Sequence, residues 1–104
     1  MYTVRVARPR FEWDERKSRS NLTKHGISFE EAETVFLDEH ALLIGDPDHS
    51  SEDERRFLLL GFSHKLNVLA VCHCDRDDGD VIRIISARKA DRSERVMYTR
   101  RNRT

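Results

Sequence analysis

A chain of 104 residues, 38% hydrophobic and 37% charged, holds one small domain with a thin core and a heavily charged surface. No apolar run approaches the roughly 20 residues needed to cross a bilayer, and Met1-Tyr2-Thr3-Val4-Arg5 lacks the apolar segment of a secretory signal, so no membrane partner and a cytoplasmic address are expected. The net charge of zero hides a segregation: residues 1–25 hold seven Lys/Arg against three acids, residues 26–54 ten acids and no Lys or Arg, and residues 88–104 seven Lys/Arg against two acids. If the basic ends meet in space, they form one cationic face that attracts a polyanion by its local field.

Residues 1–10 have little pattern and read as a flexible lead-in, which leaves 11–104 as the single domain. Phe11-Glu12-Trp13 alternates and makes a short strand. Asp14 is placed to cap a helix through about His25, which Gly26 ends in the left-handed region. That helix is oddly polar (Arg16, Lys17, Ser18, Arg19, Ser20, Asn21) and needs outside support. An anionic partner along Lys17, Asn21 and Lys24 would supply some. Ser28-Phe29-Glu30-Glu31 fits a capping box, with Ile27 and Ala32 as its staple. Phe29, Ala32 and Phe36 then follow helical spacing to about Leu37 or Asp38.

Ala41–Ile44 is a short strand, and Gly45–Glu54 a polar acidic loop expected to be mobile. Arg55–Ser63 and Leu66–Cys74 are strands joined by a turn at His64-Lys65. Asp75–Asp80 is a hairpin loop with turn chemistry at Asp78-Gly79. Val81–Ala87 is the last strand, and Asp91 caps a final helix with Glu94 three residues on. The order β-α-α-β-β-β-β-α, with short connections between successive strands, predicts an α+β, two-layer fold: a mostly antiparallel meander with helices over one face.

Arginine on a rigid strand is costly unless it meets a fixed anion, and its planar guanidinium grips phosphate through two hydrogen bonds. Arg88 closes the last strand beside Lys89, Arg76 follows the strand before it, and Arg83 sits mid-strand on the face opposite Ile82, Ile84 and Ser86. Simple antiparallel geometry puts Arg76 and Arg88 at opposite edges unless the hairpin loop folds Arg76 back. Lys24-His25 at a helix C-terminus offers a charge and a group that exchanges protons near neutrality, or merely caps the last carbonyls. Glu94 and Tyr98 share a face of the last helix and both handle protons, although capping and packing also account for them. Phe11 and Trp13 read as core, and His40, His49 and His64 as surface. The acids Asp46, Asp48, Glu52, Asp53 and Glu54 lack calcium-loop spacing. Cys72-His73-Cys74 is an incomplete zinc set at unsuitable spacing and reads as strand packing with reduced thiols. Chemistry without a metal or any other cofactor is therefore expected.

RNA offers such a reaction. A base takes the proton of a ribose 2′-hydroxyl, the oxygen attacks its own phosphate, an acid protonates the departing 5′-oxygen, and cations steady the charged phosphorane. Arg, Lys, His, Glu and Tyr suit that work.

Phe11-Glu12-Trp13-Asp14, Lys17, Asn21, Lys24-His25-Gly26-Ile27, Phe29, Ala32 and Val35-Phe36 resemble the N-terminal signature of the BrnT toxins. Arg76, Arg83-Ile84-Ile85-Ser86-Ala87-Arg88-Lys89-Ala90, Glu94-Arg95 and Tyr98 are similar to its C-terminal half. The resemblance spans about residues 11–100. It implies a RelE-like fold and a type II toxin that cuts RNA and halts translation. It implies as partner a BrnA-like ribbon-helix-helix antitoxin, through which the complex binds and represses its own promoter DNA. It makes Arg88 and Arg76 the leading catalytic residues, followed by Lys24 and His25, with Glu94 and Tyr98 behind them; Lys17, Asn21, Arg83 and Lys89 would bind RNA. The competing readings are a non-catalytic nucleic-acid- or antitoxin-binding module acting as a co-repressor, and a zinc protein built on Cys72, His73 and Cys74.

Overall fold

The computed structural model describes residues 9–46, 50, 54–76 and 79–102. Strand β1 (Arg10–Glu12) leads into helix α1 (Glu15–His25). Helix α2 (Phe29–Thr34) runs on as a 3-10 turn (Val35–Leu37). Strands β2 (Leu42–Gly45), β3 (Arg56–Phe62), β4 (Val68–Arg76) and β5 (Val81–Lys89) follow, and helix α3 (Arg92–Arg101) closes the chain. Arg10 is thus part of a strand rather than of a lead-in, whose first eight residues lie outside the described ones. So do most of the expected acidic loop, with His49, Asp48, Glu52 and Asp53, and Asp78 of the hairpin.

The helix ends follow local chemistry. The Asp14 carboxylate accepts from the Arg16 and Lys17 amides, and Gly26 closes α1 at φ 71°. Asp91 and Glu94 form a complete capping box on α3. The box on α2 is half made. Ser28 Oγ accepts from the Glu31 amide, but the Glu31 carboxylate turns inward to the Ser63 hydroxyl at 2.6 Å and the Asn67 amide at 2.9 Å.

The sheet order is β1-β5-β4-β3-β2. It is mixed, because β1 pairs with β5 in parallel while the other pairs are antiparallel. Alternation along the strands separates two faces. Leu59, Leu69, Val71, Ile84 and Ala87 face Ile27, Phe29, Ala32 and Val35, with Phe11, Trp13 and Phe36 packed around them. Leu60 and Ala70 face the other way and pack against Tyr98 of α3. Helices therefore lie on both faces, not one, and α3 covers only part of its side. Gly61 permits close approach at the sheet end: an added Cβ would stand 3.0 Å from Val35 Cγ1 and from Asp38 Oδ2.

One irregularity decides the site. Cys72 pairs with Ser86 but His73 pairs with Ile84, which leaves Ile85 as an extra residue in β5. A bulge reverses the alternation beyond it. Arg83 and Arg88, five apart, would otherwise point to opposite faces; here they share one. Ser86 joins them, and so parts from Ile82 and Ile84, with which regular alternation grouped it.

Candidate functional site

Lateral pairs point to the same face of a sheet, so the registers give the rows of the face that α3 half covers. One row reads Glu12, Arg83, Cys74, Arg56 across four strands. The next reads Ser86, Cys72, Leu58, Ile44, and the third Arg88, Ala70, Leu60, Leu42. Tyr98 sits on the third row. The first two form a strip, the trough, in which Arg83, Arg56, Ser86, Cys72, Leu58 and Ile44 are half-buried and Cys74 is buried. Its floor is neutral at physiological pH, because burial pushes the thiols of both Cys72 and Cys74 above their usual range.

Carboxylates hold the arginines. Arg88 donates to Glu94 through both nitrogens of its fork, Nη1 to Oε1 at 2.6 Å and Nη2 to Oε2 at 3.0 Å. The Arg88 side chain stays 40% exposed while that of Glu94 is only 10% exposed, and Nη1 also reaches the Lys89 carbonyl at 3.5 Å, so part of the guanidinium remains accessible. Arg83 and Arg76 converge on one oxygen, Glu12 Oε2, at 2.8 and 3.4 Å. Arg76 and Arg88 do lie near opposite ends of the sheet, pairing with Val81 and Ala70, and Arg83 lies between them. Glu12 and Arg56 were not singled out in the sequence. The alternation of Phe11-Glu12-Trp13 could have placed Glu12 opposite the core, but its pairing with Arg83 spans most of the chain.

Tyr98 does not face the trough. Its hydroxyl donates to Asp38 Oδ2 at 2.6 Å, and its ring meets Phe62 edge-on at 5.5 Å. Burial and the Asp38 carboxylate push its pKa up to about 12, which makes it a poor proton donor. Asn21 is likewise engaged with the backbone. It is buried, donates to the Ile27 and Ala87 carbonyls and accepts from the Ala87 amide, so its amide finishes the sheet edge. Lys17, Lys24 and His25 line a cleft of about 190 Å³ with Ser20, Asn21, Ile85 and Ser86, between α1 and β5. Lys89 is exposed at the end of β5.

Cys72 and Cys74 point into the trough. His73 points the other way, between the rings of Phe36 and Phe57 at 4.9 and 5.8 Å. These three side chains therefore do not converge on one ion.

The family comparison decides between a ribonuclease and a generic basic surface. Residues 13–94 match the model described as ribonuclease toxin, BrnT, of type II toxin-antitoxin system. The chain belongs to the BrnT family. Membership gives it RNA as substrate class and an antitoxin as partner. The fold is similar to the 1.1 Å crystal structure of the Brucella abortus ribonuclease toxin BrnT, with TM-score 0.61 and 24% identity over 82% of this chain and 100% of that one. A comparison with curated proteins finds no match. Among the described residues of this BrnT-family chain, no helix is long and apolar enough to cross a membrane.

The ion pair predicts an acid limit to stability. Arg88 holds the Glu94 carboxyl below its ordinary range, against the opposing effect of burial. A depressed carboxyl contributes stability that is complete above its unfolded value, roughly pH 4.3, and is lost as pH falls through the lower folded value. The melting temperature should drop through that window, and Glu94→Gln should make the drop shallower. Parallel curves for the two proteins would show that the pair contributes nothing to acid unfolding.

Proposed function

We propose that this chain is a metal-independent endoribonuclease toxin whose reaction takes place on the trough face of the sheet. The observation that carries it is the bulge at Ile85, which sets Arg83 and Arg88 on one face above a neutral floor. The 2′-oxygen of a bound ribose loses its proton to solvent water and attacks the adjacent phosphorus. The P–O5′ bond breaks and the departing oxygen takes up a proton from solvent, leaving a 2′,3′-cyclic phosphate and a 5′-hydroxyl. The phosphorane gathers negative charge, and the accessible part of the Arg88 guanidinium supplies fixed positive charge without reorganisation. Glu94 is ionised and aligns the fork. Arg83 and Arg76, pre-set on Glu12, bind neighbouring phosphates, since rows along a strand repeat about every 7 Å. The partner that silences the trough is a BrnA-like ribbon-helix-helix antitoxin, which also carries the complex to its promoter DNA.

Inducing this chain alone, and together with its neighbouring gene, tests the reading. Expected are growth arrest with fragmented RNA, relieved by the neighbour. Normal growth with soluble protein and intact RNA would replace it with the co-repressor module.

A further inference from the structure

The polar character of α1 has no account in the trough. Its buried residue is an asparagine, and Leu22 on it is 51% exposed. Lys24 and His25 suit the negative end of the helix dipole, but Lys17 lies in the first turn, where a cation is disfavoured. Lys17 and Lys24 stand two turns apart, about 10 Å along the axis, and line the same cleft with Ser20 between them. None of Lys17, Lys24 and His25 forms an ion pair among the described residues, whereas Arg76, Arg83 and Arg88 all do.

The other wall of the cleft is the free edge of β5. Strand β1 covers only Val81–Arg83, and beyond it the Asn21 side chain stands in for a strand at Ala87. The bulged Ile85 and Ser86 line the opening, and Ser86 also lies on the trough row beside Cys72. The cleft and the trough therefore meet at Ser86.

We infer that this cleft is a second phosphate-binding subsite, which takes the sugar-phosphate backbone of the RNA strand as it leaves the trough over the edge of β5. The inference deepens the ribonuclease reading and rests on it. The subsite reads the backbone and not the bases, because its polar groups are lysines, a histidine and hydroxyls, suited to consecutive phosphates, and its one amide, that of Asn21, is bonded to the Ile27 and Ala87 backbone. It anchors the flanking strand and takes no part in bond breaking, so its contribution is equal in ground and transition states.

The test uses the full chain with a fluorescein-labelled single-stranded RNA of mixed sequence. Lys17 and Lys24 are exposed, so Lys17→Ala/Lys24→Ala keeps the fold. KM should rise about tenfold with kcat nearly unchanged, as expected when uniform binding is lost. The slope of log affinity against log salt, read by anisotropy, should flatten by about 1.4 for two lost phosphate contacts. An unchanged slope overturns the subsite, as does a fall in kcat at constant KM, which would place these lysines in the chemistry. If the wild-type chain binds the RNA but does not cut it, the ribonuclease reading fails, and the salt slope still decides the subsite.

Discussion

Replacing Asn21 with leucine should lower the melting temperature more than any other single change on α1. The residue is 5% exposed and makes three hydrogen bonds, donating to the Ala87 carbonyl at 2.8 Å and the Ile27 carbonyl at 2.9 Å and accepting from the Ala87 amide at 3.0 Å. Leucine fits the space and removes all three. It strands an amide and two carbonyls at a covered edge, at roughly 1–3 kcal/mol for each group left without a partner. Some regain water, so a total of about 3–5 kcal/mol is expected. In a domain of this size that is a drop on the order of 15 °C or more, measurable by circular dichroism. Asn21→Asp gives the sign check. Its ionised carboxylate would face two carbonyls, and burial would raise its pKa in the folded state. A raised folded value means that the variant regains stability as pH falls through it, opposite to the Glu94 trend. A leucine variant melting within a degree or two of wild type would show that α1 is held by something else.

The same residue shows how far the sequence could be read. Asn21 lies on the stripe with Lys17 and Lys24, and a polar residue on a polar helix looks solvent-facing. Its real partner is Ala87, 66 positions away, and no local pattern announces that. What was legible rested on short-range chemistry: the caps at Asp14, Ser28 and Asp91, the left-handed Gly26, and the order of strands. The rest depended on long-range pairing. The parallel β1–β5 contact joins a three-residue strand to the far end of the chain and turned an expected meander into a mixed sheet. The site turns on one inserted residue. Strict alternation from Val81 to Lys89 parts Arg83 from Arg88, and Val-Ile-Arg-Ile-Ile-Ser gives no sign of which residue bulges. The arginines were visible as costly choices on a strand; their common face was not. Tyr98 illustrates the converse, since Asp38 and Phe62 together turn a possible proton donor into a packing residue.

Arg88→Lys should then abolish most of the activity while conserving the charge. Lysine keeps one positive point charge at the end of β5 but cannot present two parallel N–H groups to a carboxylate or phosphate. If the N–H groups left over from the Glu94 fork are what meet the phosphorane, kcat/KM for RNA cleavage should fall by about two to three orders of magnitude, the usual loss when one fixed donor to a developing oxyanion is removed. Arg88→Ala should end growth arrest altogether, but it also leaves the nearly covered Glu94 carboxylate with only the Asp91 amide as partner. Part of any loss in that variant would be structural. Adding Glu94→Gln separates the two effects: the double variant should recover the melting temperature without recovering cleavage. Recovery of both would mean that Arg88 merely docks α3 onto the sheet. Full activity in the lysine variant would mean that charge alone suffices, and the two-pronged grip seen on Glu94 would then be irrelevant to the phosphate.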